Sequence, residues 1–219
     1  MEKVVFEKNF NDCLDKNFEK YSKFFDFQSN IFFELETSIF EVNKCQILEL
    51  HKASITLTNY ILERLLKIAL IYNETGVESK PVEEWDSIFE APNDKYGSKP
   101  LSNTIELCNK QCLITNEERD VLFDIIRVSM RNGFSHADSS KILASLPDKT
   151  TMYLVSLSNP SDLKEVQLDP KIMPAIQAVH IDNVAKEISE QYFSYVFDLI
   201  GKIEGRLIEQ HNKTFIKKH

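Results

Sequence analysis

The stretch from residue 44 to residue 73 constrains the fold most strongly, because its apolar residues recur at the spacing of a long helix. These residues cover so broad a face that we predict a helix at the centre of a bundle, with neighbours packed around it. The residues predicted to point inward are Ile47, Leu48, Ala53, Leu57, Tyr60, Ile61, Leu65, Ile68 and Ala69.

Two further long helices are predicted, one on each side of this stretch. Residues 15–42 predict the first helix and residues from about 182 to 211 predict the last. Only 5 glycines and 7 prolines occur among 219 residues, which favours helices over a turn-rich sheet fold. The residues predicted to be inward are Phe18, Tyr21, Phe25, Phe32, Phe33, Leu35 and Ile39 in the first helix, and Val184, Ile188, Tyr192, Tyr195, Leu199 and Ile203 in the last.

Shorter elements are predicted between the long helices. Prolines and Gly97 interrupt residues 75–100, where we expect a long connection with a short turn of helix around Trp85 and Phe89. A short helix is predicted over residues 102–112. Thr115 and Glu118 have the spacing of a capping box, which predicts another helix start. The core stripe predicted for that helix is Leu122, Ile125, Ile126 and Ser129.

A small β-hairpin is predicted at about residues 151–169. Residues 151–155 are β-prone, residues 159–162 have the composition of a turn, and residues 165–168 could return as the partner strand. The predicted fold is therefore all-α: an up-and-down bundle of four to five helices with this hairpin appended. We expect residues 1–219 to form a single domain.

The formal net charge of −8 argues against extensive wrapping of nucleic acid, because phosphate neutralisation supplies most non-specific affinity. A small local basic site remains compatible with that charge. The first residues do not have the pattern of a signal peptide, and no apolar stretch is long enough for a membrane helix. We therefore expect a cytoplasmic protein with no membrane partner and with reduced thiols.

Residues 131–136, with the sequence Arg-Asn-Gly-Phe-Ser-His, carry the candidate chemistry. Cleavage of RNA without a metal needs proton transfer and positive charge on the phosphate. His136 titrates near neutrality and could act as acid or base, while Arg131 could hold phosphate with its planar fork. Asn132 lies four residues before His136, so it could orient the imidazole on one helix face.

This segment resembles the catalytic motif of HEPN ribonucleases, in which an Arg, a polar residue, three variable residues and a His lie near the end of a late helix. Residues 59–67 also resemble the second helix common in that family. The resemblance implies a metal-independent endoribonuclease without a cofactor that acts on RNA, not DNA, as a homodimer with a composite site. It further implies a role in phage defence or as a toxin, with a cognate antitoxin or defence partner. Asp138 departs from the family, since some members carry Tyr at that position.

Geometry leaves two ways for Arg131 and His136 to meet. On a regular α-helix, residues five apart diverge by about 140°. Gly133 could loosen or end the helix and bring His136 round, or a two-fold axis could bring Arg131 of one chain to His136 of another. Glu63, in the central helix, could pair with Arg131 across the bundle.

Several other interpretations of individual residues and of the function remain open. Arg127 shares a helical stripe with Arg131 and, with Ser135, is a candidate for binding RNA, although a solvated face explains Arg127 equally well. Cys108 and Cys112 are expected to be buried thiols, since no further residues have metal-ligand spacing. The main alternative to an enzyme is a catalytically silent, HEPN-like dimeric module that binds a protein or nucleotide partner. A structural helical protein with a chance motif is the third reading.

Overall fold

The computed structural model of the chain describes residues 2–135, 140–156 and 159–217. Helices dominate these residues, and a two-stranded sheet lies near the C-terminal third, so the predicted all-α fold with an appended hairpin is confirmed. The α-helices are α1 (Lys3–Tyr21), α2 (Glu36–Ile47), α3 (His51–Thr75), α4 (Trp85–Gly97), α5 (Leu101–Lys110), α6 (Asn116–Asp120), α7 (Ser140–Leu143) and α8 (Pro174–Lys217).

Helix α3 lies at the centre of the bundle, as its wide apolar face predicts, but it begins at His51 and not at residue 44, because α2 extends to Ile47. It packs mainly against α8 and α2, and also contacts α4 and α5. Its buried residues join those of the other helices in one contiguous core. Ala53 and Tyr60 are exceptions to the predicted inward face, because Ala53 is exposed and Tyr60 is 57% exposed.

The single first helix predicted over residues 15–42 is wrong. Helix α1 ends at Tyr21, two short 3-10 turns follow at Ser22–Asp26 and Phe33–Leu35, and α2 begins afterwards. The break buries Phe24 and Phe32 in the core, whereas Phe18 and Phe33, predicted inward, are exposed.

Side chains accept the backbone hydrogen bonds that the broken helix would have satisfied. Ser29 Oγ accepts from the Phe32 amide at 2.8 Å, and a carboxylate oxygen of Glu204 in α8 accepts from the Asn30 amide at 2.7 Å. Side-chain partners for these backbone amides make such a break tolerable without glycine or proline.

The connection predicted over residues 75–100 contains more helix than expected. A 3-10 turn at Val82–Glu84 leads into α4, which includes both Trp85 and Phe89 and continues through Pro92. The short helix predicted next is confirmed as α5. Cys108 in α5 is buried, but Cys112 is exposed in the turn beyond the helix, with a φ of 57°, so its predicted burial is wrong.

The predicted hairpin is confirmed, but residues 159–162, predicted to form its turn, lie in its second strand. Strands β1 (Thr150–Ser156) and β2 (Asn159–Leu168) pair antiparallel, with Thr150 opposite Leu168 and an irregularity between Val155 and Ser156.

The last helix is longer than its predicted range of 182–211. Helix α8 begins with Pro174, a residue suited to the first helical position, and continues into the basic tail as far as Lys217. Tyr192, Leu199 and Ile203 are buried, as predicted. Among the described residues, no helix combines the length and apolar character needed to cross a membrane.

Candidate functional site

The segment that carries the motif begins with a confirmed capping box. The Thr115 hydroxyl accepts from the Glu118 amide at 3.2 Å, and the Glu118 carboxylate accepts from the Thr115 amide at 2.9 Å. Glu118 also accepts from Arg206 of α8 at 2.7 Å. The start of this segment is therefore fixed to the longest helix of the bundle.

Beyond α6 the chain continues as a π-helix, Val121–Ser135. A π-helix bonds each residue to the one five along the chain, and most examples are single turns, often at functional sites. The regular α-helical geometry that we predicted for this segment therefore does not hold over Val121–Ser135. Gly133 is buried within the π-helix and does not end it.

The wider helix also changes which residues face the core. Leu122 and Ile126 are buried and Met130 is partly buried, so a spacing of four residues follows the core face. Ile125, which α-helical periodicity predicted to be inward, is 55% exposed. That prediction is wrong because a π-helix turns less per residue than an α-helix.

Arg131 lies near the end of the π-helix and forms an ion pair with α3. Its Nε donates to Glu63 Oε1 at 2.7 Å, and the two side chains are only 28% and 27% exposed. The predicted pairing across the bundle is confirmed. The bond uses Nε, so it does not consume the two terminal amino groups, which form the outer edge of the guanidinium fork.

A second connection fixes the backbone beside Arg131. Asn59 of α3 is 4% exposed and donates from Nδ2 to the Met130 carbonyl at 3.2 Å. Its Oδ1 accepts from the Tyr192 hydroxyl of α8 at 2.7 Å. Burial, together with the nearby negative charge of Glu63, raises the pKa of Tyr192 above its ordinary value, so the phenol remains a neutral donor.

These contacts bring together residues that the motif alone does not identify. Tyr192 was predicted only as an inward residue, and Asn59 only as the first residue of a family-like stretch. A buried amide on the apolar face of α3 was the available signal, since such a group needs hydrogen-bond partners. Neither the sequence pattern around Asn59 nor the one around Tyr192 indicated that the hydrogen-bond partner of Asn59 would be the Met130 carbonyl.

The remaining predicted site residues are placed as follows. Asn132 is half-buried in the π-helix. Arg127 stacks over the Phe123 ring at 4.2 Å and donates from Nε to the Phe123 carbonyl at 3.3 Å, a local arrangement that suits a helix surface. Ser135 ends the π-helix, but its side chain lies outside what the structure describes, as do His136 and Asp138.

Within the described parts of the chain, no group of three or more His, Cys, Asp or Glu side chains has the arrangement of a metal site.

Comparisons with protein-family models, with curated proteins and with solved structures found no match to this chain.

Proposed function

We propose that this protein is a metal-independent endoribonuclease that acts as a homodimer with a composite site of Arg131, Asn132 and His136. The observation that carries the proposal is the Arg131–Glu63 ion pair, which holds a guanidinium at the motif and leaves its outer edge for a phosphate. A fixed guanidinium costs less ordering entropy when it binds phosphate than one on a free side chain.

In the proposed reaction, the 2′-hydroxyl of a ribose attacks the adjacent phosphorus and the 5′-oxygen leaves. A neutral His136 takes the 2′ proton, and the imidazolium that forms gives this proton to the leaving 5′-oxygen, while the second chain supplies Arg131. Arg131 stabilises the charge that develops on the phosphate oxygens. Asn132 orients His136, and the product carries a 2′,3′-cyclic phosphate.

The surrounding fold supports the role proposed for Arg131, because it holds the neighbouring backbone in place. Asn59 and Tyr192 fix the backbone at Met130, one residue before Arg131. Arg127 and Ser135 are proposed as additional contacts to RNA. By its resemblance the protein would serve in phage defence or a toxin–antitoxin system in the cytoplasm, with a cognate partner.

One observation favours a second candidate, a silent dimeric module that binds a protein or nucleotide partner. Glu63 places a negative charge 2.7 Å from Arg131, on a chain with a net charge of −8, and both features oppose RNA binding.

RNA cleavage by matched variants separates the two candidates. His136→Ala and Arg131→Ala should each lower the cleavage rate by at least about a hundredfold, as expected for loss of acid–base catalysis or of transition-state charge stabilisation. The control is His180→Ala, whose ring contacts Ser145 at 3.0 Å outside the motif, and it should cleave at the wild-type rate. Wild-type protein that neither binds nor cleaves RNA would favour the silent module.

A further inference from the structure

A cavity of about 540 Å³ lies between α3, α4 and the chain that precedes α2, and the proposed reaction does not use it. Aromatic rings form much of its wall. Phe33 is 64% exposed and Trp85 is 49% exposed, while Tyr72 and Phe89 meet edge to face with centroids 6.4 Å apart. The volume falls within the range of small-molecule sites, and exposed aromatic faces favour a flat ligand.

Glu34 lines this cavity, and one of its carboxylate oxygens lacks a hydrogen-bond partner among the described residues. Its Oε1 accepts from the Tyr72 hydroxyl at 3.1 Å. Its Oε2 is buried and has no hydrogen-bond partner among the residues that the structure describes. Burial and the neighbouring Glu34 raise the pKa of Tyr72 to about 12, so the phenol stays a donor and fixes the carboxylate. A buried carboxylate oxygen without a partner is costly unless a ligand supplies a donor.

Arg64 supplies a positive charge at the same cavity. It is exposed, lines the cavity, and forms no ion pair within the described ranges of the chain. Lys80 also lines the cavity, but it is paired with Glu78. The cavity therefore combines aromatic walls, one acceptor that needs a donor, and one cation that could bind an anion.

We propose that this cavity binds a guanine base with an adjoining phosphate. The base stacks on Trp85, the edge that carries its N–H donors meets Glu34, and the phosphate meets Arg64. Guanine presents adjacent N1–H and N2–H donors on its Watson–Crick edge, which suit a carboxylate. Adenine presents a donor beside an acceptor on the same edge, and that acceptor would face the carboxylate charge. Stacking on aromatic rings combined with recognition of this edge is the usual way in which proteins read an unpaired base.

The same chemistry occurs in a free guanine nucleotide and in a guanosine within an RNA strand. The proposal does not depend on cleavage, because every residue that it uses lies outside the Arg131–His136 motif. Glu63 and Arg64 are adjacent in α3, one contacting Arg131 and the other lining the cavity.

Trp85 is the only tryptophan of the chain, so its fluorescence reports directly on the cavity. GMP should quench it saturably, and AMP should bind at least about tenfold more weakly. Glu34→Gln should weaken GMP and guanosine alike, by about tenfold or more. Arg64→Ala should weaken GMP similarly but leave guanosine unchanged, since guanosine has no phosphate. The control Glu36→Gln, an exposed carboxylate at the start of α2, should bind as the wild type does.

A second arm identifies the source of the base. The full chain carrying His136→Ala, which keeps RNA intact, is titrated with a short unstructured RNA containing one guanosine and with the same strand containing adenosine. Quenching by GMP supports a free nucleotide, and quenching only by the guanosine strand supports a base within RNA. The proposal is overturned if neither GMP nor the guanosine strand quenches the fluorescence, or if AMP binds the wild type as tightly as GMP. This holds whatever the cleavage assay shows.

Discussion

Arg131 Nε donates to Glu63 Oε1 at 2.7 Å, and this bond joins the end of the π-helix to the centre of α3. It has two opposing effects in the proposed ribonuclease. The bond orients the guanidinium, and the carboxylate lowers the positive potential that a phosphate would meet. Substitutions at Glu63 distinguish the effect of orienting the Arg131 guanidinium from the effect of the carboxylate's negative charge.

Glu63→Ala should lower kcat by about tenfold, because Arg131 loses the contact that orients it. The free energy of unfolding should fall by only about 1 kcal/mol, since the pair is partly exposed. Glu63→Gln keeps a hydrogen-bond acceptor and removes the charge, so it should lower KM for RNA. Steady-state cleavage and urea unfolding measure these effects.

The chain offers a matched control for Glu63→Ala. Glu106 accepts from Arg119 Nε at 3.0 Å, and this pair is similarly half-buried, at 36% and 32% exposure. Glu106→Ala should cost comparable stability and leave cleavage unchanged. A Glu63→Ala variant that cleaved RNA at the wild-type rate would show that the ion pair does not position a catalytic group.

Several features of the fold were predictable because local sequence determines them. The capping box at Thr115 and Glu118, the hairpin, and the central position of α3 all follow from short-range patterns. The Arg131–Glu63 pair was predicted from complementary charge alone, and the structure confirms it.

Other features depend on contacts that no local pattern reveals. The break between α1 and α2 contains no glycine or proline and depends on Glu204, a residue far along the chain, to accept a backbone hydrogen bond. Periodicity wrongly predicted that Ile125 faces the core, because an α-helical spacing was assumed where the chain forms a π-helix. A spacing of four residues, as among Leu122, Ile126 and Met130, is equally typical of an α-helix, so the sequence did not indicate the wider turn.

The buried connection through Asn59 should contribute measurably to stability. Tyr192→Phe removes the hydroxyl that donates to Asn59 at 2.7 Å, and it should lower the free energy of unfolding by about 1–2 kcal/mol. The control is Tyr60→Phe at an exposed ring in α3, which should change stability by less than about 0.5 kcal/mol. Equal urea midpoints for the two variants would contradict a structural role for the Tyr192 hydroxyl.

Stability should fall at alkaline pH because burial raises the pKa of Tyr72 and of Tyr195 from 10.0 to about 12. Between these values the unfolded chain releases protons that the folded chain retains, so the free energy of unfolding falls as pH rises. The contribution is fully present below pH 10 and is lost as pH rises towards 12.

Tyr195→Phe tests this directly. The Tyr195 hydroxyl is buried and has no hydrogen-bond partner in the described part of the chain, so the variant should be at least as stable as the wild type at neutral pH. It should also lose less stability between neutral pH and about pH 11. Thermal melts across this range measure both effects, and parallel pH profiles for the two proteins would contradict the assignment.

The proposed mechanism assigns proton transfer to His136 and charge stabilisation to Arg131, so cleavage should persist in excess chelator. The product should carry a 2′,3′-cyclic phosphate, identified by mass spectrometry. Complete loss of cleavage with chelator, restored by a divalent ion, would rule out this mechanism.

The composite site is tested most directly by mixing two inactive chains, Arg131→Ala and His136→Ala, under conditions that let subunits exchange. If each site takes Arg131 from one chain and His136 from the other, a heterodimer holds one intact site and one with neither residue. Random exchange at equal concentrations makes half of the dimers heterodimers, so cleavage should return to about a quarter of the wild-type rate. No recovery of cleavage despite demonstrated heterodimers, or a wild-type protein that sediments as an active monomer, would contradict the account.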